Sequence, residues 1–299
     1  VLSIRAPDHL GDGVMALPAV AAIGRTHGAR VHAPRWGAAL YGGLPGVIVA
    51  RREDAPHAGS HGVLLKPSFG AAWRWRHLPA RTGLASHGRG MLLTHALPVV
   101  PGEARWRGWA RIAEALGAVV DGPPRWPHRP VPGDTAGILP PEGFVALHVH
   151  GNTPLNRWPH ARALADRLRS KGRAAWFLAG PGEHDAVAAV AGDHPILDHD
   201  DLHGLVAHLQ RASAMVGHDS GVTHLAAAAG VRTLMLHGPT SPAETGAGEP
   251  VRAALSCSPC GRRHCTRFTW RGPRPSCMAQ LSVAAVHAAL DAPPAGGVP

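Results

Sequence analysis

The chain has 299 residues, 45% of them hydrophobic, and a formal net charge of +10. That length fits two domains of about 150 residues each. No apolar run reaches the roughly 18 residues that span a bilayer, and no Lys/Arg run is long enough for a nucleic-acid arm, so the charge points to an anionic partner such as a membrane surface or a phosphorylated substrate.

Ala, Gly, Pro, Arg and His are abundant, while Tyr and Phe are scarce. Single Ala and Arg positions therefore carry little weight, and the 22 His residues are expected mostly at the surface or in loops. No secretory signal opens the sequence. The expected location is cytoplasmic and peripheral to a membrane.

VLSIRA reads as a first strand, PDHLGDG as a loop, and VMALPAVAAIGRTHG as a helix despite Pro18. ARVHAP, VIVARR and GVLLKPS read as further strands, with a short helix at WGAALYGGL. FGAAWRWRHL and RWRGWARIAEALG read as helices, the second ending at Gly117. DGPPRWPHRPVPGDTAGILPPEG is dense in Pro and Gly, which marks a linker.

A second alternating series follows. FVALHVHG, RAAWFLAG, SAMVGH and VRTLMLHG read as strands. PHARALADRLRSKG, EHDAVAAVAG, LHGLVAHLQRA and SVAAVHAAL read as helices, with Pro159 in a first turn and Gly172 at a helix end. Strands alternating with helices imply parallel βαβ units. The expected fold is α/β, with two Rossmann-like domains, residues 1–122 and 144–290, whose parallel sheets face a central cleft. Residues 123–143 are the linker and 291–299 a disordered tail. That architecture suits a sugar-nucleotide transferase, a binding protein or a two-domain dehydrogenase.

Four signals carry chemistry. GHDSGVTHLAAAAG places Asp219 and Ser220 at a helix N-cap, Gly221 in the turn and His224 on the first turn. Such a start binds anions through its free amides and the helix dipole. A hydrolase elbow requires G-x-S-x-G, and Ser220 is one position out of register. A plain stabilising cap is the competing reading.

Asp12, in HLGDGVMALPA, sits beyond the carboxyl end of the first strand, where ligands of parallel sheets bind. A carboxylate there can take a proton from an attacking hydroxyl, or merely cap the helix. The absence of G-x-G-x-x-G counts against a dehydrogenase. Glu183, in LAGPGEHD, is placed to bind ribose hydroxyls or to complement a helix start. Arg157, in NRWP, is placed to pair with a diphosphate or to stay solvated.

Together these stretches resemble the lipopolysaccharide heptosyltransferases of glycosyltransferase family 9, over nearly the whole chain. HLGDGVMALPAVAAI is similar to the family's amino-terminal L-G-D motif, and NRWP to its K-x-W-P element. LLKPSFGAAWRWRHLPARTGLASHGRGMLLTHAL resembles its acceptor-side segment. HDSGVTHLAAAAGVRTLMLHGPTSP resembles D-[ST]-G-x-x-H-L-A-A-A-x-G followed by G-P-T, and CSPCGRRHCTRFTWRGPRPSCM the tail of heptosyltransferase II members.

The resemblance implies a GT-B architecture and inverting transfer of heptose from ADP-heptose to a lipid A-linked lipopolysaccharide inner core. It implies no catalytic metal or other cofactor, and work on the cytoplasmic face of the inner membrane. It makes Asp12 the base. Asp219, Ser220, Gly221 and His224 become the donor-phosphate turn and Glu183 the ribose acid, while Arg157, next to Asn156, is expected from its own chemistry to help hold the departing ADP. Ser220 is then no nucleophile. Two positions depart from the family: Asn156 stands for the usual Lys, and Ser241 for the acid of G-P-T-D-P.

Lys66, Arg74, Arg76 and Arg81 are expected to form a basic acceptor face, with Trp73 and Trp75 beside them. A solvated basic helix with core Trp is the plainer alternative. Cys257 and Cys260 have a zinc-like spacing that Cys265 and Cys277 do not repeat. Partly buried loop thiols are the simpler reading. Other functions compatible with the sequence are a related transferase with a different nucleotide sugar and a non-catalytic sugar-nucleotide binder. A nucleic-acid module lacks its recognition motif.

Overall fold

The computed structural model describes residues 2–128, 139–151, 153–262, 264–266, 268–269, 272–273 and 277–294. Much of the expected linker and the last residues of the expected tail lie outside that set. The chain divides into two compact units, Val1–Arg129 and Pro130–Pro299.

In the first unit the order is β1 (Leu2–Arg5), α1 (Leu10–His27), β2 (Ala29–Ala33), α2 (Gly37–Tyr41), β3 (Val47–Arg51), β4 (His61–Leu64), α3 (Phe69–Arg74), β5 (Ala80–Leu84), β6 (His95–Leu97) and α4 (Arg105–Ala115). Its sheet runs β3-β2-β1-β4-β5-β6, all parallel.

The second unit has β7 (Val145–His148), α5 (Ala161–Ser170), β8 (Ala175–Ala179), α6 (His184–Ala191), β9 (Ile196–Asp198), α7 (Leu202–Leu209), β10 (Ala214–His218), α8 (Gly221–Ala228), β11 (Thr233–His237), α9 (Pro242–Thr245), β12 (Glu249–Arg252) and α10 (Val283–Asp291). Its sheet runs β12-β11-β10-β7-β8-β9, again parallel.

Counted within each unit, both orders are the doubly wound 3-2-1-4-5-6. The order reverses between β1 and β4 in one sheet and between β7 and β10 in the other. In such sheets a crevice opens beyond the carboxyl ends of the two strands at the reversal. The central strands β1, β4, β7, β8, β10 and β11 are short, mostly apolar runs buried on both faces, as central parallel strands require. Ile4, Val31 and Val63 fill the first core, and Leu147, Phe177, Val216 and Leu236 the second. Each such side chain contributes about 1.5–3 kcal/mol.

α1 begins at Leu10, earlier than the glycines suggested, so Asp12 lies in its first turn and not in a loop. The glycines of L-G-D-G serve close packing. A Cβ on Gly13 would lie 2.3 Å from the Trp36 ring, and Tyr41 Oη donates to Gly13 O at 2.9 Å. α1 also continues through Pro18. Its buried face of Val14, Leu17, Val20 and Ile23 offsets the lost helix bond.

Candidate functional site

At the β1/β4 reversal the chemistry is ionic. Arg5 ends β1, is buried, and donates to Asp8 Oδ1 at 2.5 Å. Lys66 follows β4 and pairs with the other oxygen of Asp8. Burial lowers the Arg5 pKa to about 10, helped by Arg52, so it stays charged at neutral pH. Burial, and then Arg5, lowers Lys66. Asp12 is half-buried and accepts from Arg105 Nη1 at 3.0 Å. Burial raises the Tyr41 hydroxyl, and the Asp12 charge adds to the effect.

Beneath these groups, Arg89 is fully buried. Its guanidinium donates to Leu84 O at 2.8 Å, to Leu64 O at 3.3 Å and to Lys66 O. One cation thus satisfies carbonyls at the ends of β4 and β5. Burial lowers its pKa to about 10.

The expected basic face does not assemble. Lys66 lies at the carboxyl edge, whereas Arg81 pairs in register with Gly62 near the start of β5. The Arg81 guanidinium is committed to Leu92 O at 2.6 Å and to Leu78 O. Arg74 and Arg76 are exposed on and just after α3. Arg76 donates to Trp73 O at 2.8 Å and lies over the Trp73 ring. Trp75 is core and meets His32 edge-on, so only Trp73 faces solvent.

At the β7/β10 reversal the groups are mostly neutral. Ser220 caps α8 in extended conformation, and its Oγ accepts from Thr223 N. The same oxygen lies 3.0 Å from His148 Nδ1 and 2.9 Å from Thr223 Oγ1. Asp219 Oδ1 accepts from His224 Nε2 at 2.8 Å, with both side chains largely buried. The nearby carboxylate of Asp219 thus serves His224. The first amides of α8 are unused within the helix and present positive partial charge.

Three histidines lie among these elements, each the last residue of a strand: His148 on β7, His218 on β10 and His237 on β11. His148 and His218 stack with ring centroids 5.3 Å apart. Burial holds His148 well below its usual range and brings His218 and His237 down to about 4. All three are neutral at neutral pH. His237 Nε2 and His224 Nδ1 are buried without a partner. Composition argued for discounting histidines, and that expectation fails here. The available signal was positional, since HVHG, GHDSG and LHG each place a His at a strand end.

Arg157 is held beside this reversal. Its Nε and Nη2 both donate to Gly151 O, at 3.0 and 2.8 Å, so the fork grips its own loop. Trp158 anchors that loop through Nε1 to Leu281 O at 2.8 Å. Asn156, where the family resemblance leads one to expect Lys, has a buried Oδ1 without a partner. Gly151 allows the loop to press on His218, because a Cβ there would lie 2.4 Å from its Nε2. Glu183 stands beyond β8, half-exposed. Its Oε2 accepts from Gly180 N at 3.1 Å, and its Oε1 lies 4.0 Å from His150 Nε2.

Elsewhere, Asp166, Asp193 and His194 come within ligand spacing of one another. Arg169 donates to both carboxylates, so the cluster is already ion-paired. Among the described residues no helix is long and apolar enough to cross a membrane.

Residues 142–270 match glycosyltransferase family 9 (heptosyltransferase). The chain is 34% identical over 166 residues to lipopolysaccharide heptosyltransferase 1 of Pseudomonas aeruginosa. That match covers 49% of this chain and 47% of the relative, so the chain spans about half the length of the curated relative it matches. Among solved structures, it superposes on E. coli ADP-heptose lps heptosyltransferase II with a TM-score of 0.71 and 20% identity, covering 97% of each chain. With E. coli heptosyltransferase WaaC bound to ADP-2-deoxy-2-fluoro heptose the TM-score is 0.68 at 16% identity, over 97% of this chain and 98% of that one. The two parallel six-stranded sheets are thus those of the GT-B architecture, and the sequence of residues 142–270 is similar to glycosyltransferase family 9 (heptosyltransferase).

Proposed function

We propose that the protein is an inverting glycosyltransferase that moves heptose from ADP-heptose to a lipid A-linked lipopolysaccharide inner core. The single observation that carries this reading is the β7/β10 reversal. There a capped helix start, Ser220–Gly221, lies among neutral buried histidines and is flanked by Arg157 and Glu183.

The second unit holds the donor. The amides of α8 receive the diphosphate, with Asp219 fixing His224 against the same turn. Arg157 adds positive charge, and Glu183 accepts from the ribose hydroxyls. Neutral histidines at the strand ends leave this charge unopposed without competing for a proton. The first unit handles the acceptor. Asp12 takes the proton of the attacking hydroxyl as its oxygen bonds to the anomeric carbon. The bond from that carbon to the phosphate oxygen breaks in the same displacement, and ADP leaves with the electron pair. Amides and cations aimed at the departing charge stabilise it, and positioning supplies much of the remainder. Lys66, held by Asp8, meets acidic groups of the acceptor.

The reading extends to peripheral contact with the inner membrane on its cytoplasmic face. Phe69 and Trp73 stack at 6.2 Å, are 45% and 51% exposed, and stand beside Arg74 and Arg76. Aromatic edges beside cations suit an anionic lipid interface.

The test is ADP release from ADP-heptose with and without a heptose-deficient lipopolysaccharide acceptor. Acceptor-dependent release that Asp12→Asn abolishes is the expected result. Release that survives the substitution moves the base elsewhere. ADP binding without release favours another donor sugar or a non-catalytic binder.

A further inference from the structure

Asp12 is fixed from two sides. Its backbone is set by α2 and the turn before it. Trp36 presses on Gly13, where a Cβ would come within 2.3 Å of the ring. The buried Tyr41 donates from Oη to Gly13 O at 2.9 Å, and the Trp36 and Tyr41 rings lie 5.9 Å apart. This platform holds the first turn of α1 but leaves the Asp12 side chain free to rotate. The side chain is fixed from α4, where Arg105 Nη1 donates to Asp12 Oδ1 at 3.0 Å.

Arg105 does not serve its own helix. It is the first residue of α4, where a cation opposes the helix dipole. Ala104, the cap, offers no side-chain acceptor, and the first turn contains no acid. The adjacent carboxylate, Glu103, is spent on Arg111, whose Nε and Nη2 grip it at 3.0 and 2.8 Å. Asp12 is therefore the group that compensates Arg105. Rigid elements hold the pair together: α1 packs along α4, and Trp109 Nε1 ties α4 to Leu65 O, just past β4, at 2.9 Å. The other cations at this reversal, Arg5 and Lys66, are both engaged by Asp8. Among the described residues no donor bonds to Asp12 Oδ2, although the side chain is 22% exposed. One carboxylate oxygen is thus held and the other is open.

We propose that Arg105 is the positioning residue of the base: its guanidinium holds Asp12 Oδ1 and so turns Oδ2 toward the acceptor hydroxyl. This role rests on the reading of Asp12 as the base given above. Arg105 acts only through Asp12 and takes no proton, since a guanidinium stays charged throughout. The proton of the acceptor hydroxyl passes to Oδ2 and, once ADP has left, to solvent. Holding one oxygen removes the rotation that would otherwise carry the other out of line, and orientation of this kind is expressed in rate.

The experiment is steady-state kinetics of the full chain with ADP-heptose and a heptose-deficient lipopolysaccharide acceptor. Arg105→Ala is expected to lower kcat about 10–100-fold, the cost of a misplaced reacting group, with both KM values within about twofold of native. If that variant fails to fold, Arg105→Lys, which keeps the charge but not the fork, is read in the same way: lowered kcat at native KM. The double variant tells positioning from a contact of its own. In an Asp12→Asn background, Arg105→Ala is expected to change kcat less than about twofold, because the group it positions is gone. Losses that multiply in the double variant overturn the role, as does an acceptor KM raised at native kcat. Native kcat in Arg105→Ala beside an impaired Asp12→Asn overturns it too and leaves Asp12 as the base. Full activity in Asp12→Asn overturns the reading of Asp12 itself, an outcome that the Arg105 variants alone do not produce.

Discussion

The two units share one strand order and differ in what they place at its reversal. In the first, Arg5, Asp8, Lys66, Asp12 and Arg105 form ion pairs beyond β1 and β4. In the second, β7, β10 and β11 each end in a neutral buried histidine beside a helix start. Even the means of satisfying strand ends differs. Arg89, a buried cation, serves β4 and β5, whereas His148 meets the cap of α8 through a hydroxyl. The same backbone thus frames a charge-rich cluster in one unit and a capped helix start among neutral histidines in the other, which on the proposed reading are the proton-accepting site and the anion cradle. The difference lies in the residues just past the strands, and the fold alone does not specify it.

The largest effect that can break this contrast is at Asp12. Asp12→Asn is expected to lower kcat by about 10²–10⁴-fold, the range for loss of a general base, with the donor KM unchanged. Steady-state kinetics check it, and a donor KM that rises in parallel places Asp12 in the cradle instead.

Acid separates the units next. His218 and His237 have pKa values near 4 when folded, against an ordinary 6.5. Between these limits the unfolded chain binds more protons, so stability rises with pH and is lost as pH falls from 6.5 toward 4. The loss is on the order of 3 kcal/mol per histidine. Hydrogen exchange is expected to show β7, β10 and β11 losing protection before β1 and β4. Uniform loss across both sheets contradicts the contrast.

In the opposite unit, Arg89→Met leaves three carbonyls at the ends of β4 and β5 without their donor. Urea unfolding is expected to show a loss of about 3 kcal/mol, from unsatisfied buried polar groups. The donor affinity of the folded protein is expected to stay unchanged. Smallest is the division of the basic residues. Lys66→Ala is expected to raise the acceptor KM about tenfold, whereas Arg76→Ala, an exposed side chain over Trp73, changes it less than about twofold. Equal effects restore a single basic face.

Much of the fold was legible because central strands are short apolar runs between helices of clear period. β5 was missed because ARTGL has polar Arg81 and Thr82, whose needs are met off the strand by Leu92 O and His61. β12 was missed because it contains Pro250, which is tolerable only on an edge. In the candidate site, the turn around Ser220 was legible from its capping residues. Arg81 was not, since a guanidinium spent on two carbonyls has the same letter as one aimed at a ligand. The strand-end histidines were hidden by the abundance of His in the chain. Their position after each strand, rather than their type, carries the information.

The most direct test of the central claim is the ADP dissociation constant of Asp12→Asn beside that of His224→Ala. The account predicts native affinity for the first and at least about tenfold weaker binding for the second. Weakened ADP binding in Asp12→Asn with native binding in His224→Ala would contradict it.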